Sequence, residues 1–352
     1  MSQFHSVKIA AIKRETKDAV SIVFDIPEDL KNQFQYIAGQ YITLKTTIDG
    51  TDVRRAYSIC SSPNSNEIRV AVKRVKNGFF SIYATSELKV GDVIEISKPE
   101  GKFILSTSAN NANNYLAFGA GSGITPIMAM VKSVLENEPN SKFVLVYGNK
   151  NTFETLFFDE INTLKRTYSD RFFVQFVYSK EQPEGSLFGR IDSSVVNFVL
   201  KKHVDSTFND VFLCGPEQMI NTVKETLFAQ DFNDDSIHYE LFTAPKSNDK
   251  DEAENLTLDG NSEITVMLDD EETTFTMAQK ETILTAALKN DLDAPYSCQG
   301  GICSSCIAKV TEGKVTMAKN TILSEDEVAE GLILTCQAHP TTAKITIDFD
   351  EV

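Results

Sequence analysis

Through the first 107 residues, apolar and polar positions alternate in short runs at 7–15, 19–26, 40–48, 68–75 and 92–99. Gly, Pro, Asn and Asp separate the runs. Period-two alternation broken by turn formers predicts half-buried strands in an antiparallel β-barrel or sandwich. The rhythm changes near residue 108. Strand-like apolar runs at 115–120, 142–149, 172–179 and 210–215 now alternate with helical patterns at 126–137, 157–166, 194–203 and 216–230. This predicts a doubly wound α/β unit with a parallel sheet. Residues 263–352 begin with two strand-like runs, 264–270 and 273–278, followed by a helical segment at 282–290. That order predicts a small α+β fold of the β-grasp type.

Residues 246–262 are polar, charged and poor in large apolar side chains. Such a segment cannot bury a core and is expected to be a solvated linker. The expected organisation is therefore multidomain: 1–107, 108–245, the linker 246–262, and 263–352.

Charge sharpens this division. The chain carries a formal −16. Residues 263–352 hold 6 basic and 16 acidic side chains, and 1–245 are close to balanced. A strongly acidic last domain excludes nucleic acid, whose phosphates it repels, and suits docking to a basic protein surface. No apolar stretch approaches the roughly 20 residues of a membrane helix, so no membrane insertion is expected. The first 17 residues scatter His5, Lys8, Lys13, Arg14 and Lys17 among apolar positions. No secretory signal is legible there, and a cytoplasmic location follows as the expectation.

The most specific chemistry lies in the acidic domain. Cys298, Cys303 and Cys306 stand in the run SCQGGICSSC, and Cys336 follows after 29 residues. C-x4-C-x2-C…C is the ligand spacing of a plant-type [2Fe–2S] cluster. Two irons need four thiolates, three from a tight loop and one from a distant strand. Gly300 and Gly301 would let the loop curl until backbone N–H groups point at sulfur. Ser297, Ser304 and Ser305 are small enough to crowd the same loop. Zinc sites usually pair two short hooks, whereas here the fourth cysteine stands alone. Disulfides need an oxidising compartment.

Other motifs are weaker one by one. A strand runs into Gly119-Ala-Gly-Ser-Gly-Ile-Thr-Pro126 and then a helix, a geometry that presents backbone N–H groups to a pyrophosphate. A tight strand–helix turn is the plainer alternative. Cys214-Gly215-Pro216 ends another strand at the sheet's carboxyl edge, and Cys214 alone reads as a buried structural cysteine. In the barrel, Arg55-Ala56-Tyr57-Ser58 offers a guanidinium for phosphate and an aromatic ring for stacking. Val72-Lys73-Arg74 is followed by Gly78 and Ser81 at the start of a short helix. The histidines His5, His203, His238 and His339 match no metal or triad arrangement.

Taken in order, R-x-Y-S, V-K-R…N-G…S, G-x-G-S-G-I-T-P, Y-G-N and C-G-P resemble the ferredoxin–NADP reductase superfamily. With the cysteine-bearing domain at the C-terminus, the whole chain is similar to oxygenase reductases of the phenylacetyl-CoA epoxidase and ketosteroid hydroxylase kind. The resemblance implies FAD held by Arg55 on the pyrophosphate, Tyr57 on the isoalloxazine, Ser58, backbone groups of Val72 and Lys73, and Gly78 and Ser81. It implies a nicotinamide dinucleotide on Gly119, Gly121, Gly123, Thr125, Pro126, Gly215 and Pro216, with Cys214 beside the nicotinamide. Near the end of the reductase unit, 238–245 resembles the family's closing strand, where Glu240 and Phe242 would line the rings. Tyr57, Ser58, Cys214 and Glu240 form the implied catalytic set.

Ser179-Lys180-Glu181-Gln182 resembles the Ser-Arg-Glu-Gln that grips a 2′-phosphate, which favours NADPH over NADH; an ordinary exposed turn is the alternative. Lys in place of Arg keeps the charge and loses the bidentate fork. The implied activity is an NAD(P)H oxidoreductase. It passes electrons through FAD and [2Fe–2S] to an oxygenase, the phenylacetyl-CoA ring epoxidase or a similar diiron or Rieske enzyme. Alternatives are reductases of a hybrid-cluster protein or desaturase, a partner-independent reductase of small molecules, and a redox sensor.

Overall fold

The computed structural model describes residues 4–76, 78–242 and 260–351. Asn77 of the N-G turn and residues 246–259 of the expected linker lie outside them. The chain divides into two compact units, of which the larger takes in 5–53 and 57–242.

The N-terminal sheet contains β1 (His5–Thr16), β2 (Ala19–Asp25), β3 (Tyr41–Ile48), β4 (Thr51–Ser58), β5 (Ile68–Lys73) and β6 (Val93–Ile96), ordered β4-β3-β6-β1-β2-β5. Its paired strands are antiparallel. A bridge from Ile59, just past β4, to Val70 of β5 joins the outer strands and closes the sheet into a barrel. The alternating apolar positions explain the closure: Val7, Ile9, Ile22, Ile42, Leu44, Val70, Val72 and Ile96 turn inward and are all but inaccessible. Helix α1 (Phe79–Ser86) packs Phe80 and Ala84 onto that core.

The second sheet is wholly parallel. It runs β10 (Leu187–Phe188), β9 (Phe172–Tyr178), β8 (Lys142–Asn149), β7 (Asn114–Ala120), β11 (Asp210–Cys214), β12 (Ile237–Glu240). Helices α2 (Ile124–Asn137), α3 (Phe158–Thr167), α4 (Ser193–Lys202) and α5 (Glu217–Phe228) connect its strands. Continuous apolar runs such as 143–147 are buried on both faces, as a covered parallel sheet requires. The carboxyl ends of β7, β8, β9 and β11, where ligands of such folds bind, therefore carry Gly119, Asn149, Ser179 and Cys214.

The C-terminal domain has a five-stranded sheet: β14 (Glu271–Ala278), β13 (Asn261–Leu268), β19 (Lys344–Asp348), β15 (Ile307–Glu312), β17 (Leu332–Leu334). A separate pair, β16 (Val315–Met317) with β18 (Ala338–Pro340), flanks it. Helix α6 (Ile283–Lys289) buries Ile283, Leu284, Ala286 and Ala287 in this domain's own core, and α7 (Glu325–Ala329) is a short exposed turn closed by a capping box. Asn261 and Ser262, assigned above to the linker, belong to β13 instead. Ser262 is fully buried and its hydroxyl donates to the Thr342 carbonyl at 2.6 Å. The turn between β13 and β14 places Asp269 and Asp270 both in the left-handed region, at φ 57° and 60°, the geometry of a two-residue hairpin loop.

Candidate functional site

Strand β4 carries the first candidates. Alternation along it leaves Arg55 exposed, Tyr57 half-buried and Ser58 buried. The Arg55 guanidinium donates to the Arg54 carbonyl at 2.6 Å. Tyr57 rests against Phe80, ring centroids 5.5 Å apart, so its ring plane is fixed by the barrel core. Across the barrel, Val72 is completely buried and Lys73 half-buried, with its ammonium held below the usual lysine range by burial. The Val72 side chain is thus a core group, and only its backbone is left for a ligand. The Ser81 hydroxyl accepts from the Val75 N–H at 3.1 Å and donates to the Gly78 carbonyl at 3.2 Å. It locks the turn that begins α1, and a Cβ on Gly78 would stand 2.4 Å from its oxygen.

The Gly-rich segment turns sharply between β7 and α2. A Cβ on Gly123 would lie 2.1 Å from the Cys214 carbonyl oxygen, so the absence of a side chain here is what lets β11 approach. Gly121 has φ 57° and open space around it, leaving its backbone accessible to a bulky ligand. The Tyr147 hydroxyl donates to the Gly121 carbonyl at 2.9 Å, and Thr125 donates to the Ser122 carbonyl at 3.0 Å. Pro126 is buried in the first turn of α2. Pro216 occupies the N-cap of α5, after Gly215, whose Cβ would stand 3.1 Å from that of Ala120.

Strand register brings three candidates side by side: Gly119 opposite Cys214, and Cys214 opposite Glu240. The Ser58 hydroxyl donates to Glu240 Oε2 at 3.4 Å, reaching from barrel to parallel sheet. Burial raises the Glu240 carboxyl to about 8 against the opposing pull of Ser58, so it is mainly protonated at neutral pH. Burial, and then the nearby Glu240, push the Cys214 thiol well up; it is a neutral thiol, not a nucleophile. Phe242 packs on the core of the parallel sheet.

Ser179 and Lys180 follow β9, their N–H groups donating to the carbonyls of Asn149 and Lys150 at 3.0 and 2.9 Å. Glu181, whose role the sequence leaves open, accepts from the Thr152 N–H at 2.5 Å and from the Thr152 hydroxyl. It pins the loop after β8 and does not face a ribose as a free carboxylate.

In the C-terminal domain the four cysteines come as two pairs. Cys298 lies against Cys303, and Cys306 against Cys336. Among the described residues no three His, Cys, Asp or Glu side chains converge as ligands of one metal ion. The two pairs would each hold one iron of a [2Fe–2S] cluster. The Cys303 side chain, and then the backbone N–H groups of Gly300, Ile302 and Cys303, lower the Cys298 thiol to about 6 against the opposing burial, and the Gly300 N–H donates to its sulfur at 3.3 Å. Gly301 and Gln299 supply the left-handed turns, at φ 70° and 51°. Ser297 is buried with a hydroxyl that finds no protein partner, and Gln337 donates to the Gln299 carbonyl at 3.1 Å. A thiolate-stabilising loop with a spare buried donor fits an anionic [2Fe–2S] cluster.

Comparison with known proteins accords with this geometry. Residues 6–104 match the family model of the oxidoreductase FAD-binding domain, 118–225 that of the oxidoreductase NAD-binding domain, and 266–341 that of the 2Fe-2S iron-sulfur cluster binding domain. The chain is 38% identical to one of the subunits of 1,2-phenylacetyl-CoA epoxidase from Escherichia coli K12, over 99% of both chains. The chain belongs to the ferredoxin–NADP reductase superfamily. Within it, the chain groups with reductases that end in a plant-type ferredoxin domain. It is 32% identical to the ferredoxin reductase component of 3-ketosteroid-9-alpha-monooxygenase from Rhodococcus rhodochrous, over 97% of this chain and 95% of the relative. Among solved structures, phthalate dioxygenase reductase shares the fold at a TM-score of 0.62 and 23% identity, with 98% of each chain covered. This superfamily member is a multidomain electron-transfer oxidoreductase that uses FAD, a nicotinamide coenzyme and a [2Fe–2S] cluster. Among the described residues no helix is long and apolar enough to cross a membrane.

Proposed function

We propose that this reductase takes electrons from NADPH and delivers them to an oxygenase, with the phenylacetyl-CoA ring epoxidase as the first choice of partner and the cytoplasm as its location. The observation that carries the reading is the row Gly119–Cys214–Glu240 with Ser58 hydrogen-bonded to Glu240. The 38% identity along the whole chain to a component of that epoxidase supports the choice of partner. When bound, the coenzyme, flavin and cluster supply hydride transfer, conversion of two electrons to single ones, and one-electron storage.

The residues of this chain bind and orient those groups. Tyr57 and Ser58 hold the flavin ring, Arg55 its pyrophosphate, and the backbone of Val72 and Lys73 and the turn at Gly78 its remainder; Ser81 holds that turn. Gly119, Gly121, Gly123, Thr125, Pro126, Gly215 and Pro216 form the dinucleotide cradle, and Ser179 and Lys180 take the 2′-phosphate. Cys214 and Phe242 wall the meeting point of the rings against water. Glu240, neutral at the operating pH, carries a proton beside them, and the Ser58 hydroxyl holds its carboxyl by donating to Oε2. Cys298 with Cys303, and Cys306 with Cys336, hold the two irons. The domain limits we propose are 1–107, 108–245 and, with Asn261 and Ser262 in its first strand, 261–352.

The test is Cys336→Ser. The variant should lose the cluster's visible absorption and its iron and sulfide while keeping one FAD and NADPH-dependent ferricyanide reduction. Loss of FAD along with the cluster would contradict the modular reading.

A further inference from the structure

A partly buried ionic brace fastens the coenzyme-cradle helix to the flavin-bearing segment. Helix α2 begins directly after Gly123. One face of it, eight residues on, presents Lys132, whose ammonium is almost inaccessible. Lys132 donates to the Cys60 carbonyl at 2.9 Å, and Cys60 stands two residues past Ser58. The same ammonium meets Glu160 of α3 at 2.6 Å, and Glu160 also accepts from Arg69 of β5 at 2.9 and 3.2 Å. One turn further along α2, Glu136 accepts from the Ser62 hydroxyl and from Asn64 at 3.1 Å. Burial opposes the charge on Glu160, yet Lys132 and Arg69 hold its carboxyl below the usual range. Neither Lys132 nor Glu160 belongs to any of the binding motifs above.

We infer that Lys132 and Glu160 are positioning residues that fix the approach of nicotinamide to flavin, by clamping the helix that follows the coenzyme cradle to the segment just past Tyr57 and Ser58. A buried, multiply bonded ion pair is directional where apolar packing is not. Its removal leaves partners buried and unpaired, so the segments shift to resatisfy them. Hydride transfer needs its atoms within a narrow approach distance, and a displacement of about 1 Å costs up to ~100-fold in rate. The inference rests on the flavin and coenzyme assignments proposed above.

The experiment compares Lys132→Met, Lys132→Arg and Glu160→Gln holoenzymes with wild type and with the exposed-site control Lys165→Met. Three readouts are followed: flavin reduction at saturating NADPH by anaerobic rapid mixing, the nicotinamide–flavin charge-transfer absorbance, and equilibrium affinities for FAD and NADP⁺. Lys132→Met should slow flavin reduction by about 10- to 100-fold and weaken the charge-transfer band. Both affinities should stay within about threefold, and Lys132→Arg should recover most of the rate. Glu160→Gln keeps the Lys132–Cys60 bond, so it should show the same split in milder form. It decides the matter if Lys132→Met does not fold. Variants that reduce flavin at the wild-type rate, or that lose FAD affinity in proportion to rate, would overturn the brace. A wild-type protein whose flavin NADPH does not reduce would instead overturn the assignments on which it stands.

Discussion

The Ser58 hydroxyl and the Glu240 carboxyl, 182 residues apart in sequence, meet at 3.4 Å. Ser58 ends a barrel strand and Glu240 ends the edge strand of the parallel sheet. Their contact joins two folds that a local reading of the sequence treats as separate, at the point where the proposed ring systems would lie.

Glu240 has a consequence for stability. Its carboxyl is raised from an ordinary 4.5 to about 8 by burial. The folded state therefore holds a proton that the unfolded chain has released between those values. This contribution to stability is full below about pH 4.5 and fades as pH rises through 8. Glu240→Gln, which cannot ionise, should gain on wild type by roughly 3–4 kcal/mol between about pH 5 and pH 8. Melting temperatures across that range should diverge steadily and run parallel above it. A constant offset would mean that Glu240 is ionised in the fold.

Gly123 and Gly121 separate space from conformation. Gly123→Ala drives a methyl into the Cys214 carbonyl and should destabilise by about 1–3 kcal/mol. Gly121→Ala meets no atom but forces alanine to φ 57°, a cost of roughly 1–2 kcal/mol. Chemical denaturation should rank both below wild type. NADP⁺ affinity of the folded protein should fall with Gly121→Ala, whose methyl points into open space beside the cradle.

Lys180 tests the coenzyme. Lys180→Ala should raise KM for NADPH by about 10- to 100-fold, the worth of one charge-assisted hydrogen bond, and leave KM for NADH nearly unchanged. Steady-state kinetics with both coenzymes decide it, and equal effects would remove Lys180 from the 2′-phosphate.

Much of this architecture is legible in the sequence because its signals are local. Alternation marks β1, β2 and β3. The C-x4-C-x2-C spacing of Cys298, Cys303 and Cys306, followed by Cys336, marks the cluster. Contacts that depend on tertiary approach are not legible. Nothing near Lys132, Glu160 or Arg69 distinguishes them from solvated charges on helices and strands. The bonds of the Ser81 hydroxyl to Val75 and Gly78 are not legible in the motif that carries it. Glu181 is ambiguous in sequence because its partner, Thr152, lies on another strand's loop. Tyr147 is visible only as part of Y-G-N, and its hydrogen bond to Gly121 needs β7 and β8 in register. The acidic run 325–330 shows the same limit. It reads as a uniform charged face, yet the Glu327 side chain closes a capping box with Ser324.

That last detail shapes a test of docking. Residues 263–352 carry 6 basic and 16 acidic side chains, which should steer encounter with a basic partner surface at low salt. Reversing Glu325, Asp326 and Glu330 to Lys spares the capping box. Electron delivery to the partner oxygenase should then lose its decline with rising salt, while ferricyanide reduction stays as in wild type. An unchanged salt dependence would place docking elsewhere.

On the proposed function, electrons travel from nicotinamide through flavin to the [2Fe–2S] cluster held by the four thiolates. Anaerobic rapid mixing of the holoenzyme with NADPH, followed by flavin absorbance and freeze-quenched paramagnetic resonance, tests it most directly. Flavin bleaching should come first, and the signal of a reduced [2Fe–2S] cluster should rise after it, only in protein that retains Cys298, Cys303, Cys306 and Cys336. A cluster that stays oxidised while flavin is fully reduced, or that is reduced in protein stripped of FAD, would contradict the account.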